Sequence, residues 1–282
     1  MFAITGATGQ LGRKVIARLR ALVPAAEIVA IIRDPRKAAD LGVTVRQADY
    51  ADPAAVQAAL SGVTKLLLIS SSSFGTRQAE HANVIAAAKT TGVAHLVYTS
   101  LLNADKWLPG FAKDHTETER WIAESGLAST ILRNGWYWEN HTANLSVALG
   151  YGQLIGSAGT ALISWASRQD FADAAAEVLV GKDHVGKTYE LAGDTPHTLA
   201  ELAAEAARQS GHPLDYRNLT EAEHASFYES AGVPPPVAAM LAEVEARGVA
   251  AGVLHDDSHT LSRLIGRPTQ SLAHAVAAAF QG

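Results

Sequence analysis

Three glycines carry the clearest chemistry in this chain. Gly6, Gly9 and Gly12 recur at every third residue of Gly6-Ala7-Thr8-Gly9-Gln10-Leu11-Gly12, after an apolar run at residues 2–5 and at the head of a helical pattern at 10–22. One glycine permits a tight strand-to-helix turn, the next lets backbone approach a pyrophosphate, and the last lets helix and strand pack closely. The first amides of a helix lack intrahelical acceptors and are free to bind an anion. A glycine triplet alone fits any tight turn, but here strand, turn and helix follow in the order a dinucleotide site needs. Gly6, Ala7, Thr8, Gly9, Gln10 and Leu11 are therefore expected to hold the phosphates of a nicotinamide cofactor.

The second strand pattern, residues 28–32, ends on Arg33-Asp34, with Arg36 and Lys37 close behind. The residue at this strand end meets the adenosine ribose: an acid accepts from a 2′-hydroxyl, whereas an arginine accommodates a 2′-phosphate. The planar guanidinium fork matches phosphate. Arg33 points to NADPH, while Asp34 keeps an NAD-type contact open. Asp49, ending the third strand, either lines the adenine site or caps a loop. Ser70-Ser71-Ser72-Ser73 follows the fourth strand and offers hydroxyls to ribose or phosphate.

Short-chain dehydrogenases protonate a carbonyl with a Tyr-x-x-x-Lys pair that follows a serine on the fifth strand. Here the strand supplies Tyr98-Thr99-Ser100, but the helix reads His115-Thr116-Glu117-Thr118-Glu119. His115 and Glu119 stand one turn apart, as a His–carboxylate pair that could donate a proton or as an ordinary surface pair. Without the tyrosine–lysine acid, the natural substrate is a conjugated acceptor that spreads the charge of an arriving hydride. The aromatic run Asn134-Gly135-Trp136-Tyr137-Trp138-Glu139-Asn140 follows the sixth strand, where parallel sheets bind ligands. Its flat rings offer walls for such an acceptor, with Trp136, Tyr137 and Asn140 as contacts; core packing is the competing role for Trp136. The histidines are scattered without ligand spacing, so no metal is expected. No Gly-x-Ser-x-Gly elbow marks a hydrolase.

The elements that position these residues alternate strand and helix. Apolar runs at 2–5, 28–32, 43–47, 65–69, 96–99 and 129–132 are continuous, as in parallel strands buried on both faces. Helical segments are expected at 10–22, 35–41, 53–60, 78–90 and 114–125, with Gly42, Gly62, Gly92 and Gly126 after them. Asp52-Pro53 reads as an N-cap and first turn. The fold class is α/β, a Rossmann-type doubly wound parallel sheet with a smaller C-terminal α/β substrate lobe. Residues 1–133 form the nucleotide-binding domain and 134–282 the lobe, partly woven back, with helices expected near 169–180, 198–209, 221–230, 234 onward and 270–280, and a strand at 188–191.

A net charge of −5 argues against a nucleic-acid surface. The chain has no cysteine, which removes disulfides, thiolate-bound metals and thiol nucleophiles. A first strand starting at Phe2 leaves no room for a signal peptide, and no apolar run reaches the ~20 residues of a membrane helix. A cytoplasmic protein without membrane insertion is expected, with its oligomeric state, a homodimer included, left open.

The opening Ala3-Ile4-Thr5-Gly6-Ala7-Thr8-Gly9-Gln10-Leu11-Gly12 resembles the NmrA-like atypical short-chain dehydrogenases/reductases. Val45-Arg46-Gln47-Ala48-Asp49-Tyr50 and the blocks at 65–72, 98–102, 132–137, 189–194, 256–258 and 261–266 are similar to bacterial type-2 NAD(P)H:quinone oxidoreductases and to triphenylmethane reductases. The resemblance runs nearly end to end. It implies NADPH as donor and reduction of a quinone or a dye without the Tyr–Lys acid. It implies cofactor contacts at Gly6 to Leu11, Arg33, Ser70, Ser71, Ser72, Asn134, Gly135, Trp136, Tyr137, Trp138 and Glu139. Ser73-Phe74 and Lys106-Trp107 fall in variable loops, which places Phe74 at the acceptor. NmrA-like proteins also include non-enzymatic NADP(H)-binding redox sensors, so that alternative stays open, as does reduction of an imine or enone.

Overall fold

The computed structural model describes every residue except Phe74, Pro109 and Gly282, so the expected acceptor contact of Phe74 lies outside the described residues. The first half alternates β1 (Phe2–Ile4), α1 (Gln10–Leu22), β2 (Ile28–Ile32), β3 (Thr44–Gln47), α2 (Pro53–Ala59), β4 (Lys65–Leu68), α3 (Arg77–Thr90), β5 (His95–Leu101), α4 (Lys113–Ser125) and β6 (Ser129–Asn134). Then come α5 (Glu139–Thr142), α6 (Leu145–Tyr151), β7 (Gln153–Gly156), α7 (Arg168–Val180) and β8 (Thr188–Leu191). The chain ends with α8 (Leu199–Ser210), β9 (Asp215–Asn218), α9 (Glu221–Ser230), α10 (Pro235–Glu243), α11 (Thr260–Ile265) and α12 (Leu272–Gln281).

Seven strands form one parallel sheet in the order β3-β2-β1-β4-β5-β6-β8. β2 and β5 are buried along their whole length, because helices cover both faces. α1, α7 and α11 pack on one face around Ile16, Leu19, Phe171 and Leu261. α2, α3 and α4 pack on the other around Val56, Val84, Ile85 and Ile122. Asp52 caps α2 by accepting the amides of Ala54 and Ala55 at 3.0 Å. The strand order reverses between β1 and β4, and a crevice opens there at the carboxyl ends of the strands.

The chain beyond residue 133 does not stay in its own lobe. β8 pairs with β6 at the sheet edge, and α7 lies against α1, with Arg18 and Glu177 paired at 2.7 Å. Lys65 donates to the carbonyls of Leu179 and Gly181 at 2.6 and 2.9 Å, tying the end of α7 to β4. The rest surrounds a second core of Trp138, Leu145, Trp165, Leu202 and Leu254.

One expectation changes, and one element is new. The helix at 35–41 is only a 3-10 turn, Pro35–Ala38, because Asp34 caps it and the chain must enter β3 six residues later. β7 and β9 pair as a separate two-stranded parallel sheet in the lobe. β9 reads Asp215-Tyr216-Arg217-Asn218, a largely exposed polar run without an apolar signal. Among the described residues, no helix is long and apolar enough to cross a membrane.

Candidate cofactor cleft and active site

The glycine turn connects β1 to α1 at the crevice. Gly6 has φ +59, a left-handed conformation that side chains disfavour. A Cβ on Gly12 would run into the Gly6 carbonyl and the Ala7 Cα, so helix and turn touch only because that atom is missing. The Gly9 amide donates to the Gly6 carbonyl at 2.9 Å and closes the turn. No side chain caps α1 and no acid stands in its first turn, so the helix end faces the cleft with its amides and its dipole. Ala7 and Leu11 are buried, which leaves only their backbone for a ligand.

A cleft of about 360 Å³ runs from this turn past Arg33, Asp49 and Tyr50 to the serine loop. Both oxygens of Asp34 take Arg36 at 2.9 Å, and the carboxylate also accepts the Arg36 amide at 3.1 Å. That pairing holds the Asp34 carboxyl below its usual range and spends its acceptors. Arg33 is exposed at the cleft and, among the described residues, makes no ion pair. The NAD-type contact from Asp34 is thereby displaced, and the 2′-phosphate reading of Arg33 gains.

The cleft passes a fit test independent of the motif. Tyr50 Oη, Ser70 Oγ and Asn134 Oδ1 are buried without a hydrogen-bond partner among the described residues. Tyr50 and Ser70 line the cleft, and Asn134 ends β6. An unpaired buried polar atom costs about 1–3 kcal/mol, so three of them at the strand ends fit a polar ligand that supplies their partners. Burial pushes the Tyr50 phenol up, so it stays a neutral donor. Tyr50 was visible in sequence only within a resembling block; no spacing marks it as a site residue.

The expected His115–Glu119 pair does not form. Strand register sets Ser100, Arg133 and Glu190 side by side on β5, β6 and β8. Arg133 therefore reaches Glu119 bidentately, at 3.0 and 2.7 Å, and Glu190 at 2.8 Å, while Ser100 donates to Glu119. His115 Nδ1 instead lies 3.0 Å from the Tyr98 hydroxyl, behind the sheet. Burial, with Arg77 and His81 nearby, pushes His115 down to about 3, so it is neutral near pH 7 and holds no imidazolium proton to donate.

The aromatic run divides. Trp138 is 1% exposed, stacks on Trp165 with centroids 4.9 Å apart and donates to the Gln270 carbonyl. It belongs to the lobe core, which corrects its expected cofactor contact. Glu139 accepts the Arg168 amide and anchors the start of α7. Asn140 accepts from Arg168 at 2.9 Å, and the Arg168 guanidinium sits 4.6 Å from the Tyr137 ring. Trp136 is half-buried between Trp107 and His141. Gly135 brings its backbone against Leu191, whose carbonyl it donates to at 2.8 Å.

Sequence reading missed a second cavity, about 190 Å³, between α3, α4 and α10. Leu108, Phe111, Met240 and Val244 give it apolar walls, and Arg77, Asp114 and Glu243 give it charge. Arg77 also donates to the Ser71 carbonyl, so the serine loop that lines the cofactor cleft lies next to this cavity.

A doubly wound sheet with a bare helix end and a phosphate-ready arginine at its crevice defines a Rossmann-type dinucleotide-binding protein. The NAD(P)H-binding family matches residues 6–182, and the chain belongs to that family. It is 53% identical to quinone oxidoreductase 2 of Escherichia coli, over 99% of both chains. An NADPH-dependent quinone oxidoreductase of Escherichia coli, solved with NADPH, superposes with a TM-score of 0.96 at 53% identity over 99% of this chain and all of that one. The triphenylmethane reductase of Citrobacter sp., solved with NADP(H), superposes with a TM-score of 0.94 at 35% identity over 99% and 100%.

Proposed function

We propose that this chain is an NADPH-dependent oxidoreductase that reduces a quinone or a similar conjugated acceptor, such as a triphenylmethane dye. When bound, NADPH supplies a hydride. The protein's residues bind and orient: the first amides of α1 hold the pyrophosphate, Arg33 the 2′-phosphate, and Ser70, Ser72, Tyr50 and Asn134 pair with the polar groups between. Trp136 and Tyr137 form the acceptor wall on the lobe side, residues 134–282, and the cavity beside Phe111 and Met240 admits the acceptor's ring. A cytoplasmic location belongs to the same reading, supported by a chain with no cysteine for an oxidising compartment to pair.

One observation carries the choice of acceptor. His115, the candidate acid, is neutral and turned to Tyr98, and Ser100 is spent on Glu119. A simple ketone needs a proton as hydride arrives; a quinone delocalises the charge and its hydroquinone anion takes a proton from water, while a cationic dye is neutralised by the hydride itself and needs none. The quinone and dye reductases among the relatives support the same choice.

Steady-state NADPH oxidation against a panel of quinones, dyes and simple ketones tests the reading. Turnover with the conjugated acceptors and none with the ketones is expected. No turnover with any acceptor, together with tighter binding of NADP+ than NADPH, would return the redox-sensor alternative.

A further inference from the structure

Ser71 is held at every polar atom by the first turns of α3. Its amide donates to His81 Nε2 at 3.0 Å, its hydroxyl donates to Glu80, and its carbonyl accepts from Arg77. The hydroxyl also accepts the Ser73 amide at 3.1 Å. Ser70 differs: its amide donates to Thr99 Oγ1 at 2.9 Å, and its own hydroxyl is left unpaired at the cleft. Within the serine loop, Ser71 is thus spent on the protein, and Ser70 and the exposed Ser72 are left for a ligand.

We infer that His81 is a positioning residue for the nicotinamide cofactor: by accepting the Ser71 amide it fixes the wall that presents Ser70 and Ser72 to the cleft. This rests on the reading that those two serines contact the cofactor.

The chemistry of the imidazole supports the role. His81 is fully buried on the apolar face of α3, beside Val84 and Ile85, where a leucine would serve packing better. An amide can only donate, so Nε2 carries no proton and the proton sits on Nδ1. Nδ1 then donates to Thr118 Oγ1 at 2.9 Å, and that hydroxyl donates to the Asp114 carbonyl at 2.7 Å. Arg77 and Glu80 face the ring from its own helix, Asp114 and His115 from α4, and Tyr98 from β5 with ring centroids 5.5 Å apart. Burial, reinforced by Arg77, keeps the imidazole neutral, pushed down to about 4. The acceptor that Ser71 needs is therefore present throughout the neutral range. Glu80 works alongside it: burial alone would raise its carboxyl, but the hydroxyls of Ser71, Thr76 and Ser73 hold it down as an anion.

Three substitutions at His81 and one in the wall test the inference. His81→Gln places an amide oxygen within reach of the Ser71 amide. His81→Asn is polar enough for Thr118 but too short for Ser71. His81→Phe has no acceptor. NADPH dissociation constant and KM, kcat at saturating NADPH, and thermal midpoint are measured for each. The expected result is a rise of about tenfold in the NADPH constants for His81→Asn and His81→Phe, the worth of one hydrogen bond, with kcat changed less than about twofold and His81→Gln close to wild type. Should His81→Phe not fold, the Asn–Gln comparison decides. Equal NADPH affinity in His81→Asn, His81→Gln and wild type, whatever the thermal midpoints, overturns the inference. Ser72→Trp checks the wall itself: unchanged NADPH affinity there sinks the underlying reading, whereas lost affinity there with unchanged affinity in His81→Asn sinks only the role of His81.

Discussion

Asp34 gives both carboxylate oxygens to Arg36, at 2.9 Å each. The acid that would select an NAD ribose is paired within its own loop, and the neighbouring Arg33 lines the cleft without an ion pair among the described residues, with Lys37 beside it. Arg33→Ala should raise KM for NADPH about 10- to 100-fold, the range for a hydrogen bond to a charged group, and leave KM for NADH nearly unchanged. Parallel titrations with the two cofactors check this. Equal losses for both would mean that Arg33 does not read the 2′-phosphate.

Gly12→Ala inserts a methyl group against the Gly6 carbonyl and the Ala7 Cα. Backbone cannot yield as a flexible side chain does, so a loss of about 1–3 kcal/mol in stability is expected, with NADPH binding weakened as the turn is pushed open. Thermal denaturation with and without NADPH reads both effects. A variant that keeps the wild-type midpoint and the full NADPH-induced shift contradicts the close approach.

A positioned general acid contributes about 10²–10⁴-fold to rate. His115 is neutral and paired with the Tyr98 hydroxyl, so His115→Gln, which keeps a polar partner for Tyr98, should hold kcat with a quinone within about threefold of wild type, far below that range. A hundredfold loss of kcat at unchanged thermal midpoint would restore His115 as the proton donor.

Acid should destabilise the fold in a defined window. His81, His95 and His224 are buried, and burial pushes each from 6.5 down to about 4. Between these values the unfolded chain binds protons that the folded chain refuses. The stability they support is complete above pH 6.5 and is lost as pH falls towards 4, by about 1.4 kcal/mol per pH unit for each group. Urea unfolding at pH 7, 6 and 5 follows it, and His224→Gln should flatten the profile by one group's share. A flat profile for the wild type would show that these histidines do not fold as neutral rings.

Residues whose role is set by the backbone were the most legible in the sequence. Gly6, Gly9 and Gly12 mark a turn that few other residues permit, and the continuous apolar runs of β2 and β5 announce strands covered on both sides. Arg33 was legible because the strand end fixes its place. Side-chain pairing was less so. Helical spacing joins His115 to Glu119, but sheet register delivers Arg133 to Glu119, and register follows from where distant strands dock. Trp138 was misplaced for a related reason: the residue it stacks on, Trp165, arrives from a distant part of the lobe. The grip of α3 on Ser71 had no local signature, because His81 and Glu80 reach back across a loop to a residue nine or ten positions earlier.

The pairing of β8 with β6 sets when a growing chain can be finished. Residues 1–133 contain the whole glycine turn, yet a fragment ending there would expose the open edge of β6 and the sheet face that α7 covers. During synthesis that sticky edge waits for more than fifty further residues before its neighbour exists. The nucleotide half is therefore not a module that can be cut free and kept, and a truncation near residue 133 should aggregate rather than bind cofactor.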